Sequence, residues 1–191
     1  MKRTLKAARA LWLALALLML PFAACAEDAA ALSLEALVET YCLDAFEALY
    51  FDVLLQTEAP DSPGFAVQPK AAQALRIFMN LDMEIQCGGI AQFFYNNEST
   101  YAARVPEALR ELGLDDVAQL YEGFLSEYGI TMAEIDSYRA RFPLAEQFGE
   151  LCGLHPFSEF DDAYMEIWYQ TNLNRRVLDY AQAHPEALPG R

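Results

Sequence analysis

Residues 71–97 read AAQALRIFMNLDMEIQCGGIAQFFYNN, and this stretch decides the fold class. Leu75, Phe78, Met79, Asp82 and Ile85 recur at helical spacing, so Ala71 to Cys87 is expected to form a helix with a buried face. Gly88-Gly89 interrupts that helix, and Ile90 to Asn96 continues as a short aromatic one. A glycine pair lets two helices meet at a sharp angle, through positive φ or close backbone approach. Phe93 and Phe94 then fall to the core. Gln92 and Asn96, four apart on one helix face, are placed to bond backbone exposed at the break. The weight of this reading is structural: these residues build a scaffold.

The pattern extends outward in both directions. Upstream, Ser33 is a candidate N-cap for a helix running to about Thr57, and Pro60, Pro63 and Gly64 mark the loop that follows. Downstream, Ser99 or Thr100 opens a helix that Gly113 ends after Leu112. Asp115 is read as the cap of the next helix, ended by Gly129 after Tyr128. Thr131 caps another, which must break near Pro143. Pro156 precedes Ser158, the expected cap of a long final helix to about His184. No stretch alternates at period two, and no Asn-Gly or Asp-Gly hairpin turn occurs. The expected class is all-α: a single compact multi-helix domain over residues 33–186, after a short linker at 27–32 and before a tail at 187–191.

Composition agrees and narrows the function. The 191 residues are 54% hydrophobic, with 12 Phe, 10 Tyr, 9 Gly and 9 Pro, which excludes disordered and collagen-like classes. Asp and Glu number 28 against 13 Lys and Arg. Four of the bases (Lys2, Arg3, Lys6, Arg9) precede the first acid, Glu27, so the chain after residue 26 holds 28 acids against 9 bases, a net of −19. A body this acidic repels nucleic acid and anionic membranes, so direct binding to either is not expected.

Residues 1–26 follow the plan of a secretory signal. A basic region from Lys2 to Arg9 leads into an apolar run with LWLALALLML at its heart. Pro21 breaks that run, and Ala24-Cys25-Ala26 supplies the small-x-small pattern before Glu27. Phe22-Ala23-Ala24-Cys25 also resembles a bacterial lipobox, in which Cys25 would be lipidated. Both readings place the protein outside the cytoplasm, released or anchored by lipid at Cys25. Membrane contact is expected only through the signal or that anchor.

Chemistry is sparse. Cys152-Gly-Leu-His155 has ligand-like spacing, but zinc needs about four ligands and no second Cys/His pair stands nearby, with only Cys42 and Cys87 to add. The same pair as a Cys-His nucleophile lacks an evident orienting group. No P-loop, Gly-x-Ser-x-Gly, Gly-x-Gly-x-x-Gly or His-Glu-x-x-His occurs. No metal and no cofactor is expected, and an enzyme is the minority reading. Cys42, Cys87 and Cys152 leave open one bridge with one thiol over, or three reduced thiols.

The acids are the informative feature. Asp115-Asp116 and Glu159 with Asp161-Asp162 lie at expected helix starts, where the macrodipole favours them. Spread evenly over roughly 8,000 Å² of surface, the net charge would be one per about 400 Å². Duplex DNA carries one per roughly 100 Å². Imitation of a phosphate backbone therefore requires the acids to cluster on one face.

Residues 82–97 also carry a resemblance. An acidic residue, Gly88-Gly89, then Gln92-Phe93-Phe94-x-Asn96, followed by Glu107-Ala-Leu-Arg-Glu-Leu-Gly113, resembles the bacterial DNA-mimic protein family. The closing segment, Phe157 to Tyr164 (FSEFDDAY) and Leu178 to Pro185, looks like it too, so the likeness spans roughly residues 70–186. Cys87 and Ile90 depart from the family's Asn and Phe, and the export signal is a larger departure. The resemblance implies a non-catalytic protein that holds a basic protein or peptide partner with its carboxylates, and leaves a homodimer open. The carboxylates singled out for that face are Asp115, Asp116, Glu159, Asp161 and Asp162. The alternative is an exported envelope protein using the same fold on a cationic peptide, a cell-wall component or a metal cation.

Overall fold

The computed structural model describes residues 34–188. Among the described residues there are nine α-helices and no strand, so the protein is all-α. The chain divides after Thr40. Helix α1 (Leu34–Thr40) belongs to the first unit. The second holds α2 (Leu43–Gln56), α3 (Lys70–Ala102), α4 (Val105–Glu111), α5 (Asp115–Glu127), α6 (Met132–Arg141), α7 (Phe148–Cys152), α8 (Phe157–Thr171) and α9 (Leu173–Ala183). The signal, linker and lipidation readings, with Cys25 and Ala26, lie outside the described residues.

The helix expected from Ser33 to Thr57 is two helices. Cys42 takes φ 53°, ψ 35°, a left-handed conformation that ends one run and starts α2 behind it. The carbonyl of Tyr41, stranded by that turn, accepts Asn174 Nδ2 of α9 at 3.0 Å. The final helix is likewise divided. Asn172 adopts φ 49°, ψ 66°, closing α8, and its side chain accepts the Arg175 amide to cap α9. Apolar periodicity runs through both divisions unbroken, because one left-handed residue turns the chain without changing which residues are apolar.

The helix expected from Ser99 or Thr100 is divided, residues 99–102 ending α3 and α4 opening at Val105, and two other starts differ from expectation by one or two positions. Asp115 opens the first turn of α5 and Leu114 stands at the cap, while α8 begins at Phe157 behind Pro156, so Ser158 is inside it. Thr131 caps α6 as expected, accepting the Glu134 amide at 3.1 Å.

Helix α3 is the axis of the second unit, packing against α2, α4, α6, α8 and α9. It is three helical segments in a row. The first break is at Gly88-Gly89, where Gly89 takes φ 78°, ψ 178°. The second is at Glu98, with φ 53°, ψ −166°. A neighbouring helix stitches each break. At Glu98 the stitches come from α6: Asp136 accepts both the amide and the hydroxyl of Ser99 (2.8 and 2.9 Å). Arg139 donates to the carbonyls of Tyr95 and Asn96 (2.9 and 2.8 Å). These are the backbone groups a broken helix leaves without intrahelical partners.

Glu98 occupies a region of φ/ψ space that is essentially glycine's own, at a cost on the order of 1–3 kcal/mol. Its carboxylate lies 3.7 Å from Arg139, a half-exposed pair worth little. Glu98→Gly is therefore expected to raise stability by about 1 kcal/mol in denaturant titration. A loss of stability would show that the Arg139 contact outweighs the strain.

The core is aromatic where α3, α5 and α8 meet. Phe93 and Phe94 are fully buried. The Phe94 ring lies 6.1 Å from both Tyr121 and Phe157, and Phe124 lies 5.3 Å from Phe160. Ring pairs at such distances add about 0.5–1.5 kcal/mol each beyond burial. This core anchors α8 along its whole length.

Candidate binding face and the carboxylates beneath it

Helix α8 has three kinds of position. Phe157, Phe160, Tyr164 and Trp168 are buried at i, i+3, i+7 and i+11. Glu159, Asp162 and Glu166 point outward and are exposed, at i, i+3 and i+7 of the opposite face. Asp161 sits on the seam between.

The outward stripe is not neutralised. Glu159 accepts the Tyr128 hydroxyl at 2.8 Å and Glu166 accepts the Gln170 amide at 2.7 Å. Among the described residues no Lys, Arg or His is paired with Glu159, Asp162 or Glu166. The stripe spans eight residues, about 10 Å of helix axis.

The five carboxylates singled out from the sequence do not form one cluster. Glu159 lies beside Tyr128, past the C-terminal end of α5, whereas Asp115 and Asp116 open that helix. The 13 residues of α5 separate the two groups by about 20 Å. Asp116 is also engaged. Arg176 grips it with both guanidinium nitrogens (2.7 and 2.9 Å) and donates to the Gly113 carbonyl as well. That hydrogen bonding holds the Asp116 carboxyl below its ordinary pKa, so its charge is cancelled in place. Asp115 remains exposed.

Asp161 turns inward. Its Oδ1 accepts the Ile90 amide at 2.7 Å, the N–H set loose by the Gly88-Gly89 break. A Cβ on Gly89 would stand 2.2 Å from Asp161 Oδ2, so only glycine admits the carboxylate. Burial raises the Asp161 carboxyl to about 6, against the pull of that amide. On the other side of the break lies Asp82, 1% exposed, accepting the Tyr164 hydroxyl and the Gln86 amide, both at 2.7 Å. Burial lifts it too to about 6, outweighing the two hydrogen bonds.

Gln92 and Asn96 correct an expectation. They bond not backbone at the break but the buried carboxylate of Glu84, at 2.7 and 2.9 Å. Two side chains from beyond the break thus bracket an acid from before it, and fix the angle between the segments. Asp82 lay on the buried helical stripe in the sequence; nothing there marked Glu84 as inward. Glu166 was legible as i+7 of Glu159 once the helix was recognised.

The Cys152–His155 pair divides. His155 Nε2 lies 2.8 Å from Glu134 Oε1, with its ring edge-on to Phe157. No hydrogen bond joins it to Cys152 among the described residues. Burial and the Asp161 charge push the Cys152 thiol up, the reverse of what activates a nucleophile. Cys87 and Cys152 are exposed and unbridged. Among the described residues no three His, Cys, Asp or Glu side chains are grouped to hold a metal ion.

Asp82 makes stability depend on pH. Its proton is held more tightly folded than unfolded, where the value is 3.8, so stability is greatest in acid and falls as pH rises from about 4 to 6. The difference corresponds to roughly 3 kcal/mol. Denaturation midpoints are expected to be higher at pH 5 than at pH 7, and Asp82→Asn to flatten the profile. A midpoint that climbs toward neutral pH contradicts this.

A family model described as DMP19-like protein matches residues 68–184, well over half of the chain and all of α3 to α9. The chain belongs to the DMP19-like protein family. This is the DNA-mimic family that the sequence resembles, and the DMP19-like match covers both the Gly88-Gly89 break and the α8 stripe. No curated protein matches the chain, and no solved structure does.

Proposed function

We propose that this protein is a non-catalytic binding protein that holds a basic protein or peptide with the carboxylates of α8, chiefly Glu159, Asp162 and Glu166, with Asp115 as an outlying contact. The observation that carries the reading is the exposed stripe of three acids, with no cation among the described residues paired to any of them. Leaving charge uncompensated on a surface favours a cationic partner, through steering of the encounter and through contacts that salt weakens. Membership of a DNA-mimic family supports the same role.

The secretory plan of residues 1–26 favours partners outside the cytoplasm, such as cationic peptides or basic envelope proteins, over a transcription factor. Cell fractionation with intact-mass analysis tests that location. A mature chain starting at Glu27, or at a lipidated Cys25, supports it, and an unprocessed cytoplasmic chain sinks it. Binding itself is tested by calorimetry with an oligolysine peptide over a range of salt. An affinity that did not fall with salt would remove the electrostatic reading.

A further inference from the structure

We propose that Asp161 is a proton-sensitive clasp, which holds α8 against the Gly88-Gly89 break and loosens as its carboxyl loses the proton, so that pH acts on the helix carrying the exposed stripe. The clasp rests on the contacts at the break together with the burial that raises the Asp161 carboxyl; its consequence for binding rests on the function proposed above.

The seam between α8 and α3 is fastened at two points, one helical turn apart on α8. Asp161 takes the Ile90 amide just after the break, and Tyr164 donates to Asp82 before it. Gly89, with φ 78° and no side chain, admits the carboxylate. Both fastenings therefore end on a carboxyl group, Asp82 fully buried in the seam and Asp161 half-buried at its edge. The groups around Asp161 are Cys152 of α7 and its neighbour Asp162. Around Asp82 stand Tyr164 of α8, Tyr50 of α2, and Glu84 and Cys87 of α3, with Arg76 acting on Tyr50. Among the described residues no cation bonds either carboxyl.

When protonated, the Asp161 carboxyl keeps its bond to Ile90 through the carbonyl oxygen and carries no desolvation cost. When ionised, it has one amide donor in a half-buried place, and gains by opening the seam to water. The seam is accordingly tight in mild acid and looser at neutral pH, the reverse of a salt-bridged carboxylate.

The test uses the full chain without any partner, by carboxyl ¹³C titration and amide hydrogen exchange. The Asp161 resonance is expected to titrate near pH 6. Protection of the Ile90 amide, corrected for intrinsic exchange, should fall by up to about tenfold per pH unit between pH 4 and 6. The amide of Glu166 should follow it. In Asp161→Asn that slope should shrink, and in the Asp82→Asn/Asp161→Asn double variant it should vanish. A midpoint near 4, a flat Ile90 profile, or an unchanged slope in Asp161→Asn would each overturn the clasp. An Ile90 response without one at Glu166 would overturn its reach to the stripe. If the variants fail to fold, the wild-type titration decides. Because no basic probe is used, failure here and failure of the binding reading are separate results.

Discussion

Reversing Asp162 and Glu166 together to Lys is expected to weaken binding of an oligolysine peptide by about 30- to 100-fold at low salt. An exposed ion pair contributes up to about 1 kcal/mol, and reversal replaces attraction with repulsion. Two such changes amount to roughly 2–3 kcal/mol, which is that range of affinity. Both residues are exposed on α8, and among the described residues their one side-chain hydrogen bond is that from Gln170 to Glu166, so the fold should survive. Asp116→Asn is the informative control. It removes one negative charge, as Asp162→Asn does, but from a carboxylate already gripped by Arg176, so affinity should hold while stability drops by about 1 kcal/mol or less. If Asp116→Asn and Asp162→Asn weaken binding equally, the partner reads net charge and not a face. If the double reversal leaves affinity unchanged, the stripe is not the site.

The largest effect on stability is expected at Gly89. Gly89→Ala forces a side chain into φ 78°, ψ 178°, at about 1–3 kcal/mol, and drives a methyl to 2.2 Å from the Asp161 carboxylate. Overpacking of that kind costs another 1–3 kcal/mol. Together they come to about 2–6 kcal/mol, a large share of what a domain of this size possesses. Gly88→Ala is milder. Its φ of −164° suits any residue, and the atom it meets, Gln92 Oε1 at 2.1 Å, ends a flexible side chain. A denaturant series comparing the two measures the difference. Adding Asp161→Ala to Gly89→Ala should recover the steric part only, since the backbone strain remains. Equal losses at Gly88 and Gly89 would refute the close approach.

Much of this architecture was legible in the sequence. The helix of residues 71–87, its interruption at Gly88-Gly89 and its aromatic continuation are all present, because apolar spacing and a glycine pair report on local geometry. Thr131 acts as a cap, and Gly113 and Gly129 close their helices, for the same local reason. The positive-φ turns at Cys42, Glu98 and Asn172 were not legible, since none is a glycine; distant segments bond the backbone beside the first two, and Asn172 caps its own helix within an unbroken apolar period. Asp136 and Arg139, which stitch the Glu98 break, come from 37 to 44 residues further along the chain.

The site divides along the same line. From the sequence alone come the all-α class, the core roles of Phe93 and Phe94, and the excess of 28 acids over 13 bases, because each depends on residue type and helical period. Which acids are free to meet a partner was decided only by the tertiary structure. Asp161 and Asp162 are neighbours in sequence, yet one is bound to an amide 71 residues away and the other is exposed. Asp115 and Asp116 differ in the same way, through an arginine 60 residues off. Helical period assigns a carboxylate to a face, but at the edge of that face its role depends on whether a distant segment brings it a donor. That is a property of packing.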